Sequence, residues 1–543
     1  MTNKPNKSSD SLLSIWQQSL LALLSGGLLS LSFLDANYYY FAWIAFVPFL
    51  MAINGANLLR SYCLGVISGL AFCISAGYWV VDFLIIAKDY SFGLSILWAL
   101  ILWFYCAQLT ALVALTFNWL KQRSPVHEFI LFPLVIVTLY SAFPLLFTIR
   151  IGESQSQFLS AIQAIEFTGV HGLDALIALS NILLFRVIGL LSITQEKLTA
   201  RACILAITPI ILWFTYGIFA IETWNKKIEK WETIRVGIVQ PNETPNLENS
   251  KPYPGYSRAY PPEMAMTERL TEAGAEVVIW PEAKYKAYFD RPHVSKAYQQ
   301  ALSKLDTSLI FQDIERIKDP ARASIFMQYN TAVMIKKGAT DVSQYQKMKR
   351  IPFGEYVPLV SDIPVLRSWV EGFFGKFLNE LEKGTSHRTF THDKLNIIPL
   401  ICYEVMFPEF VAKAVAHSQA ENTSGSMLIG LSSNGWFGTT RQPYQHVNAS
   451  ILRAVENRMP LVHAVNNGPS IVALPTGRVI FTSDYHQAGG YIVDTPYSSL
   501  ASESYFSHHP KLFIYSAYGG LILIIFLSLK LIRLNPKRRK HDQ

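Results

Sequence analysis

The alternation of apolar and polar positions divides the chain into two kinds of sequence. Seven long apolar segments fill its first part, at roughly 12–34, 39–56, 61–84, 92–119, 127–148, 170–192 and 201–222, and an eighth runs from about 511 to 533. A hydrocarbon core takes about 20 helical residues to cross, so each segment is read as a membrane helix, the second being the shortest. Between about 224 and 508 the pattern changes, and short apolar runs alternate with amphipathic or polar stretches. The runs predict strands at Ile234–Gln240, Glu276–Trp280, Ser308–Gln312, Asn330–Lys336, Leu395–Cys402, Met427–Ser432, Leu461–Val465 and Ser470–Leu474. Helices are predicted at Pro262–Ala273, Val294–Leu305, Pro408–His417 and Gln445–Arg458. Such alternation implies an α/β layered domain, large enough to bury its own core. The expected organisation is a seven-helix membrane domain (1–223), an outer domain (224–508), and a last membrane helix with a basic tail (509–543).

One stretch of the outer domain keeps a helical period. Leu366, Trp369, Val370, Phe373, Phe374, Phe377 and Leu378 recur every three or four residues, with Arg367, Ser368, Glu371, Lys376 and Glu380 opposite. That is an amphipathic helix with an aromatic stripe. It is either docked on the domain core or laid in a lipid interface. Gly372 and Gly375 weaken it as a rigid core helix, and Trp369, Phe373 and Phe374 are its candidate lipid-facing residues.

Composition supports the membrane reading. Of the 543 residues 51% are hydrophobic and only 16% charged, against about 25% charged in a soluble protein. The net charge of +8 would suit a nucleic-acid partner, but its placement argues otherwise. Lys4 and Lys7, Arg60, Lys121 and Arg123, Lys197 and Arg201, and Pro536-Lys-Arg-Arg-Lys540 all fall on one side if the N-terminus is cytoplasmic and the segments alternate. That is the positive-inside pattern. It puts both termini in the cytoplasm and the 224–508 domain outside. A cleaved signal peptide is disfavoured for the first segment, because six more segments follow at once and no small-x-small cleavage site is evident. Of the five cysteines, Cys63, Cys73, Cys106 and Cys203 lie in or beside apolar segments, and Cys402 stands alone in the outer domain. No CxxC or Cys/His spacing points to a metal or redox centre, and Gly372-Phe-Phe-Gly-Lys376 lacks the spacing of a phosphate loop.

Three stretches of the outer domain set a reactive side chain against an apolar run. Val277-Val-Ile-Trp-Pro-Glu282 ends a strand in a proline, which stops the ladder and projects a carboxylate. Tyr345-Gln-Lys-Met-Lys-Arg-Ile-Pro-Phe-Gly-Glu355 carries three cations in four residues before a turn. Leu395-Asn-Ile-Ile-Pro-Leu-Ile-Cys402 reads as a strand buried on both faces, with a thiol at its C-terminal end, where α/β sheets place their chemistry. Taken singly, these are a loop acid, a solvated face and an inert core cysteine. Together they supply a nucleophile, a base and a cation. A thiol needs a base or a nearby cation to become a nucleophile; glutamate takes protons, and lysine stabilises the oxyanion on an attacked carbonyl. A Cys–His pairing through His446 or His463 is the rival chemistry, although neither histidine lies in a stretch built to present it.

In this order the motifs resemble the Glu-Lys-Cys triad of the nitrilase superfamily. The whole chain resembles its membrane-embedded branch, the apolipoprotein N-acyltransferase family. The resemblance rests on Trp280-Pro-Glu282, Lys347 five residues before Pro352-Phe-Gly-Glu355-Tyr-Val-Pro358, Ile401-Cys-Tyr-Glu404 and Asn434-Gly-Trp-Phe-Gly438. In the membrane half it rests on Leu31-Ser-Phe through Ala42-Trp-Ile-Ala-Phe-Val-Pro48, Gly152-Glu-Ser-Gln155 and Gly169-Val-His-Gly-Leu173. It implies a bundle of about eight transmembrane helices with an α/β/β/α sandwich. It further implies Glu282 as base, Lys347 rather than Lys349 as oxyanion stabiliser, Cys402 as nucleophile and Glu355 as support. Tyr403, Glu404 and Trp436 would line the pocket. The implied reaction moves an acyl chain from a phospholipid through a Cys402 thioester to the N-terminal diacylglyceryl-cysteine of a lipoprotein, at the bacterial inner membrane, with the catalytic domain on the periplasmic side. No cofactor, metal or nucleic acid is implied. The sequence departs from the family pattern at Ser433-Asn434-Gly, where the family usually has Asn-Asp-Ala, and at His463-Ala-Val-Asn-Asn-Gly468, which puts the fine shape of the pocket in doubt. A membrane-tethered amidase using water, and a non-catalytic scaffold of this fold, are the alternatives.

Overall fold

The structure is a computed structural model. It describes residues 13–191, 200–244, 251–319, 322–338, 342–358, 363, 365–366, 368–369, 381–421, 424–502 and 504–534. Phe373, Phe374 and the basic tail lie outside the described residues. Two compact units emerge: Met1–Leu145 with Ile149–Ala220 and Lys511–Gln543, and Leu146–Thr148 with Ile221–Pro510.

The first unit is helical. Its elements are α1 (Ile15–Leu34), α2 (Ala42–Ile53), α3 (Leu58–Ala76), α4 (Val80–Lys88), α5 (Phe92–Arg123), α6 (Glu128–Ala142), two single turns α7 (Leu159–Ile162) and α8 (Ile165–Thr168), α9 (Val170–Leu191) and α10 (Ala200–Ile228), with a last helix at Leu512–Leu534. Among the described residues, seven helices are long and apolar enough to cross a membrane, while Glu128–Ala142 is shorter. Two predicted segments end early. The 127–148 segment stops as a helix at Ala142, because Phe143 precedes a proline and takes an extended backbone, ψ 128°. The 61–84 segment breaks at Gly77 into α3 and α4.

Small residues set the helix spacing. A Cβ on Gly65 of α3 would lie 2.5 Å from the Cα of Ala111 on α5, and one on Gly69 would lie 2.8 Å from that of Ala107. Gly26 of α1 meets the Ser68 carbonyl of α3 in the same way, at 2.2 Å. Backbones this close exchange dispersion along their whole contact, the usual basis of helix association in lipid. One buried polar group bridges two helices' ends: the Asn118 amide donates to the Ala56 carbonyl and the Ser61 hydroxyl, each at 2.7 Å.

The second unit is a sandwich of two six-stranded sheets. The strands are β1 (Glu232–Gln240), β2 (Val277–Ile279), β3 (Ser308–Asp319), β4 (Arg322–Ile335), β5 (Val342–Gln346), β6 (Phe390–His392), β7 (Leu395–Ile401), β8 (Ser426–Ser432), β9 (Leu461–Val465), β10 (Ile471–Ala473), β11 (Val479–Thr482) and β12 (Gly489–Tyr497). One sheet runs β12-β1-β2-β3-β4-β5 and the other β11-β10-β9-β8-β7-β6. The inner strands β1-β2-β3 and β7-β8-β9 are parallel, and the flanking ones antiparallel.

Side-chain alternation builds four layers. Val236, Ile238, Ile279 and Ile310 of one sheet meet Ile397, Ile401, Ile429 and Val462 of the other. On the outer face of the first sheet, Val278 and Leu309 pack with Met264 and Leu270 of α11 (Pro262–Glu272) and with Val294, Tyr298 and Leu302 of α12 (Pro292–Leu302). On the outer face of the second, Ile398, Leu400 and Leu428 pack with α13 (Pro408–Glu421) and α14 (Gln442–Asn457) through Val411, Val415, Val447 and Ile451. Strand β7 is buried at every residue because both of its faces are covered. Its Pro399 is tolerated because β6 stops pairing at Ile397, so the missing N–H falls beyond a double-sided ladder. The α/β/β/α sandwich expected from the resemblance is therefore the observed fold. The four unpredicted strands are β5, β6, β11 and β12.

Two adjacent glycines test the helix spacing. Gly26→Ala must push a Cβ into the Ser68 carbonyl, whereas nothing lies within 4 Å of a Cβ on Gly27. Thermal unfolding in detergent is expected to show Gly26→Ala destabilised by about 1–3 kcal/mol. Gly27→Ala should be neutral or gain up to about 1 kcal/mol from helix propensity.

Candidate active site

The strand ends bring the three predicted stretches together. β2 ends at Ile279, and Trp280-Pro281 turns the chain so that Glu282 enters the gap between the sheets. Trp280 fixes that turn, being fully buried, donating from Nε1 to Thr267 Oγ1 at 2.8 Å and packing against Tyr298 and Phe311. Lys347 follows β5 directly, and its backbone N–H donates to the Asn330 carbonyl on β4 at 2.8 Å. Cys402 follows β7 directly.

Cys402 has a left-handed backbone, φ 50°. A non-glycine residue held there stores about 1–3 kcal/mol and persists only where its surroundings over-determine it. Here they do. On one side the Ile401 N–H donates to Glu404 Oε2 at 2.9 Å, and on the other the Cys402 carbonyl lies 3.1 Å from His446 Nε2. The turn swings the thiol out of the strand direction towards Glu282, whose charge helps raise the thiol's pKa.

The charges form one buried cluster. Lys347 is 1% exposed, and its Nζ donates to Glu355 Oε1 at 2.7 Å. Glu355 is held in turn by the Ile351 N–H, 2.8 Å from its Oε2. Asn330 Nδ2 links the two acids, donating to Glu282 Oε1 at 2.7 Å and reaching Glu355 Oε1 at 3.4 Å. Burial alone would discharge the Lys347 ammonium, but Glu355, Glu282 and Cys402 outweigh it and hold its pKa above the ordinary lysine value. Burial raises the pKa of Glu282, and Glu355 adds to the effect against the pull of Lys347 and Asn330. Burial and the Glu282 charge push the Cys402 thiol well up, against Lys347. The resting state is thus a protonated thiol beside a carboxylate made more basic by its surroundings, with a permanent cation adjacent.

The remaining candidates separate into different environments. Lys349 is no rival to Lys347: its Nζ sits 5.0 Å from the centre of the Phe407 ring, away from the acids. Glu404, expected to support the site or line the pocket, is fully buried. Its Oε1 accepts from the Tyr345 hydroxyl (2.8 Å), the Met348 N–H (2.7 Å) and the Lys349 N–H (3.1 Å), while Oε2 takes the Ile401 N–H. Burial raises its pKa to about 6. Its four hydrogen bonds tie the lysine loop to the cysteine turn. The Tyr403 hydroxyl donates to the Leu146 carbonyl at 2.7 Å, and its ring stands edge-on to Phe407. Trp436 is half-buried in the short turn Gly435–Phe437, and Trp369 is exposed. Neither histidine of the rival Cys–His reading reaches the sulfur: His446 turns Nε2 to the Cys402 carbonyl, and His463 lies between the Ser432 and Ser450 hydroxyls. Among the described residues, no three His, Cys, Asp or Glu side chains converge as metal ligands. Sequence reasoning missed Asn330 and Tyr345, whose partners lie 48 and 59 positions away.

Comparison with known proteins bears on both halves. Residues 25–183 match the family model of the apolipoprotein N-acyltransferase N-terminal domain, and residues 235–502 match that of carbon-nitrogen hydrolases. The chain is 27% identical over 523 residues to an apolipoprotein N-acyltransferase of Geobacter metallireducens, covering 94% of this chain and 95% of that one. It is 25% identical over 555 residues to the one from Chlorobaculum tepidum, covering 93% and 96%. Among solved structures, an amidase from Nesterenkonia sp. is similar at 17% identity over 51% of this chain and 96% of the amidase, with a TM-score of 0.34.

The bridging amide makes a separable contribution. Asn330→Ala removes the donor shared by Glu282 and Glu355. A hydrogen bond to a buried charge is worth about 1.5–3 kcal/mol. Alkylation of Cys402 by iodoacetamide, followed by intact mass, is therefore expected to change about tenfold to a hundredfold, with Lys347 still charged.

Proposed function

We propose a reaction sequence for a chain that belongs to the apolipoprotein N-acyltransferase family and is a multi-pass inner-membrane acyltransferase of the nitrilase superfamily. In this reading Cys402 is the nucleophile, Glu282 the general base and acid, Lys347 the oxyanion stabiliser, and Glu355 the brace that keeps the ammonium charged and in place. The observation that carries it is the buried cluster itself. A thiol on a left-handed turn, a carboxylate of raised basicity and a caged ammonium lie buried together, each acting on the charge of the others.

The Cys402 proton passes to Glu282 as sulfur attacks an ester carbonyl of a phospholipid. The oxyanion forms against Lys347, where a fixed cation in a dry site lowers the barrier without reorganising. Collapse breaks the ester C–O bond, Glu282 returns its proton to the departing alkoxide, and a lysophospholipid leaves a thioester on Cys402. The α-amino group of a lipoprotein's N-terminal diacylglyceryl-cysteine then attacks the thioester and loses its proton to Glu282. The amide forms and the thiol is restored. This is a two-step covalent exchange.

Both proposed substrates are lipids, which gives a physical purpose to a catalytic domain (224–508) carried between membrane segments (1–223 and 509–543). The one-sided placement of Arg60, Lys121, Arg123 and Arg201 supports cytoplasmic termini and a periplasmic catalytic domain. Trp369, with Phe373 and Phe374 beyond the described residues, is proposed as an arm that meets acyl chains.

The test is intact-mass analysis of the detergent-purified protein, with and without phospholipid. We expect the mass of one acyl chain on Cys402, release of lysophospholipid, and loss of the adduct on adding a diacylglyceryl lipopeptide. Cys402→Ala must show no adduct. An adduct that persists in this variant sinks the assignment, and an adduct discharged by water as fast as by lipopeptide makes the protein a hydrolase with water as acceptor. Because the Glu282 pKa is raised, its basic form is lost as pH falls through that raised value. Thioester formation should therefore show an acid limb above the ordinary carboxylate range. Glu282→Gln should abolish that limb and slow the step by about 10²–10⁴-fold.

A further inference from the structure

The side chain nearest the Cys402 backbone that this reaction does not use is His446, on α14. It is buried, its Nε2 is 3.1 Å from the Cys402 carbonyl oxygen, and its Nδ1 is 3.0 Å from Asn434 Oδ1, an atom whose place the amide NH₂ takes when the side-chain amide is turned over. Burial holds its pKa down to about 4, and Lys347 adds to that, so the ring is neutral at neutral pH and owns one N–H. A backbone carbonyl only accepts. The single N–H must therefore lie on Nε2, and Nδ1 presents a lone pair. Asn434 satisfies that lone pair only by offering its NH₂. With the amide oxygen facing the ring, Asn434 Nδ2 is fully buried without a hydrogen-bond partner, so the turned amide is the one that pairs both groups. Amide orientation and imidazole tautomer are thus fixed together by one oxygen, that of Cys402.

We propose that Asn434 and His446 are positioning residues for the nucleophile. Asn434 Nδ2 donates to His446 Nδ1 and locks the Nε2–H tautomer, and Nε2–H then holds the Cys402 carbonyl and the left-handed turn that aims the thiol at Glu282. The inference rests on the reading of Cys402 as the reactive group. It explains why the turn is fastened from both sides, by Glu404 through the N–H of Ile401 and by His446 through the carbonyl of Cys402. It also gives the short loop after β8, at Ser433-Asn434-Gly435, a defined task. The titratable or charged groups that face His446 are Cys402 on the turn after β7, Lys347 after β5, and His463 on β9, whose ring stands edge-on at 5.1 Å. His463 is itself kept neutral by burial and by His446.

Glutamine and asparagine separate geometry from bulk. Gln places an N–H where Nε2 stood, whereas Asn reaches only the Nδ1 position. The readout is the rate of Cys402 alkylation by iodoacetamide in the full-length protein in detergent, across pH 5–9, with phospholipid-dependent thioester formation measured in parallel. His446→Phe and His446→Asn are expected to lose about tenfold or more of the rate, and His446→Gln to recover most of that loss. Asn434→Asp has no donor for Nδ1, so the ring must take a second proton. Its imidazolium should bring a new inflection near neutral pH, with faster alkylation on the acid side than in the wild-type protein. If His446→Phe does not fold, the Gln–Asn comparison alone decides. Equal rates for Gln and Asn, or a wild-type rate for His446→Phe, overturn the proposal. So does an Asn434→Asp profile that merely parallels the wild type, or a wild-type Cys402 that iodoacetamide never labels. If the alkylation order holds while no thioester forms from phospholipid, the positioning pair stands and the acyltransfer reading falls.

Discussion

A lysine with almost no access to water keeps its charge only if carboxylates surround it, and that requirement governs the catalytic half of this molecule. Removing an ammonium from water costs several kcal/mol even after relaxation. Glu355, within hydrogen-bonding distance, and Glu282 across the cluster offset it. Those acids need donors of their own, and the amide of Asn330 and the N–H of Ile351 provide them. The partners come from three elements: the turn after β2, strand β4, and two points on the loop after β5. A cluster with so many obligations cannot tolerate slippage of any one strand.

The sandwich meets that demand by converging strand ends. β2 and β7 belong to different sheets, and the apolar layer between the sheets holds their C-terminal ends opposite each other. β5 lies at the edge of the first sheet, where its end is free to continue into the lysine loop. Glu404 then welds that loop to the cysteine turn, trading a carboxylate's hydration for four hydrogen bonds. Its raised pKa records that burial costs more than those bonds return. The stability so lost maintains the relation between Lys347 and Cys402.

Much of this was legible in the sequence, and the parts that were not share a cause. All eight predicted strands exist, and the four missed ones, β5, β6, β11 and β12, are the four edges of the two sheets. An edge strand is paired on one side and often half exposed. Val342-Ser-Gln-Tyr-Gln346, for example, carries polar residues where a central strand has aliphatic ones. Glu282, Lys347, Glu355 and Cys402 could be singled out because each follows an apolar run closely or sits in a Pro-Gly turn. Asn330 could not, and His446 was weighed only as a rival base, since an asparagine inside a strand and a histidine on an amphipathic helix look ordinary until the fold sets them against a distant carboxylate and a distant carbonyl. Glu404 was picked out as a supporting or pocket residue from its adjacency to Cys402, and in the structure it is buried with four hydrogen bonds that tie the lysine loop to the cysteine turn. The early ends of the 61–84 and 127–148 segments have local causes, Gly77 and Phe143-Pro144, that hydropathy averages away.

The proton inventory of the cluster shows why a resting thiol suits the proposed chemistry. Thiolate formation in a dry cavity is unfavourable in isolation, and burial alone pushes the Cys402 pKa up. Passing the proton to Glu282 changes the account, because one buried anion replaces another and the cluster's net charge is unchanged. The desolvation cost already borne by the Glu282 carboxylate is released as the thiolate's cost is incurred. The raised basicity of Glu282 favours taking the proton, burial of the thiol opposes giving it up, and the balance between the two sets the height of the first step. Lys347 then sees a negative charge move from carboxylate to sulfur and on to the oxyanion without leaving its neighbourhood. The same burial that makes each group awkward alone means that the proton moves between them without changing the number of buried anions.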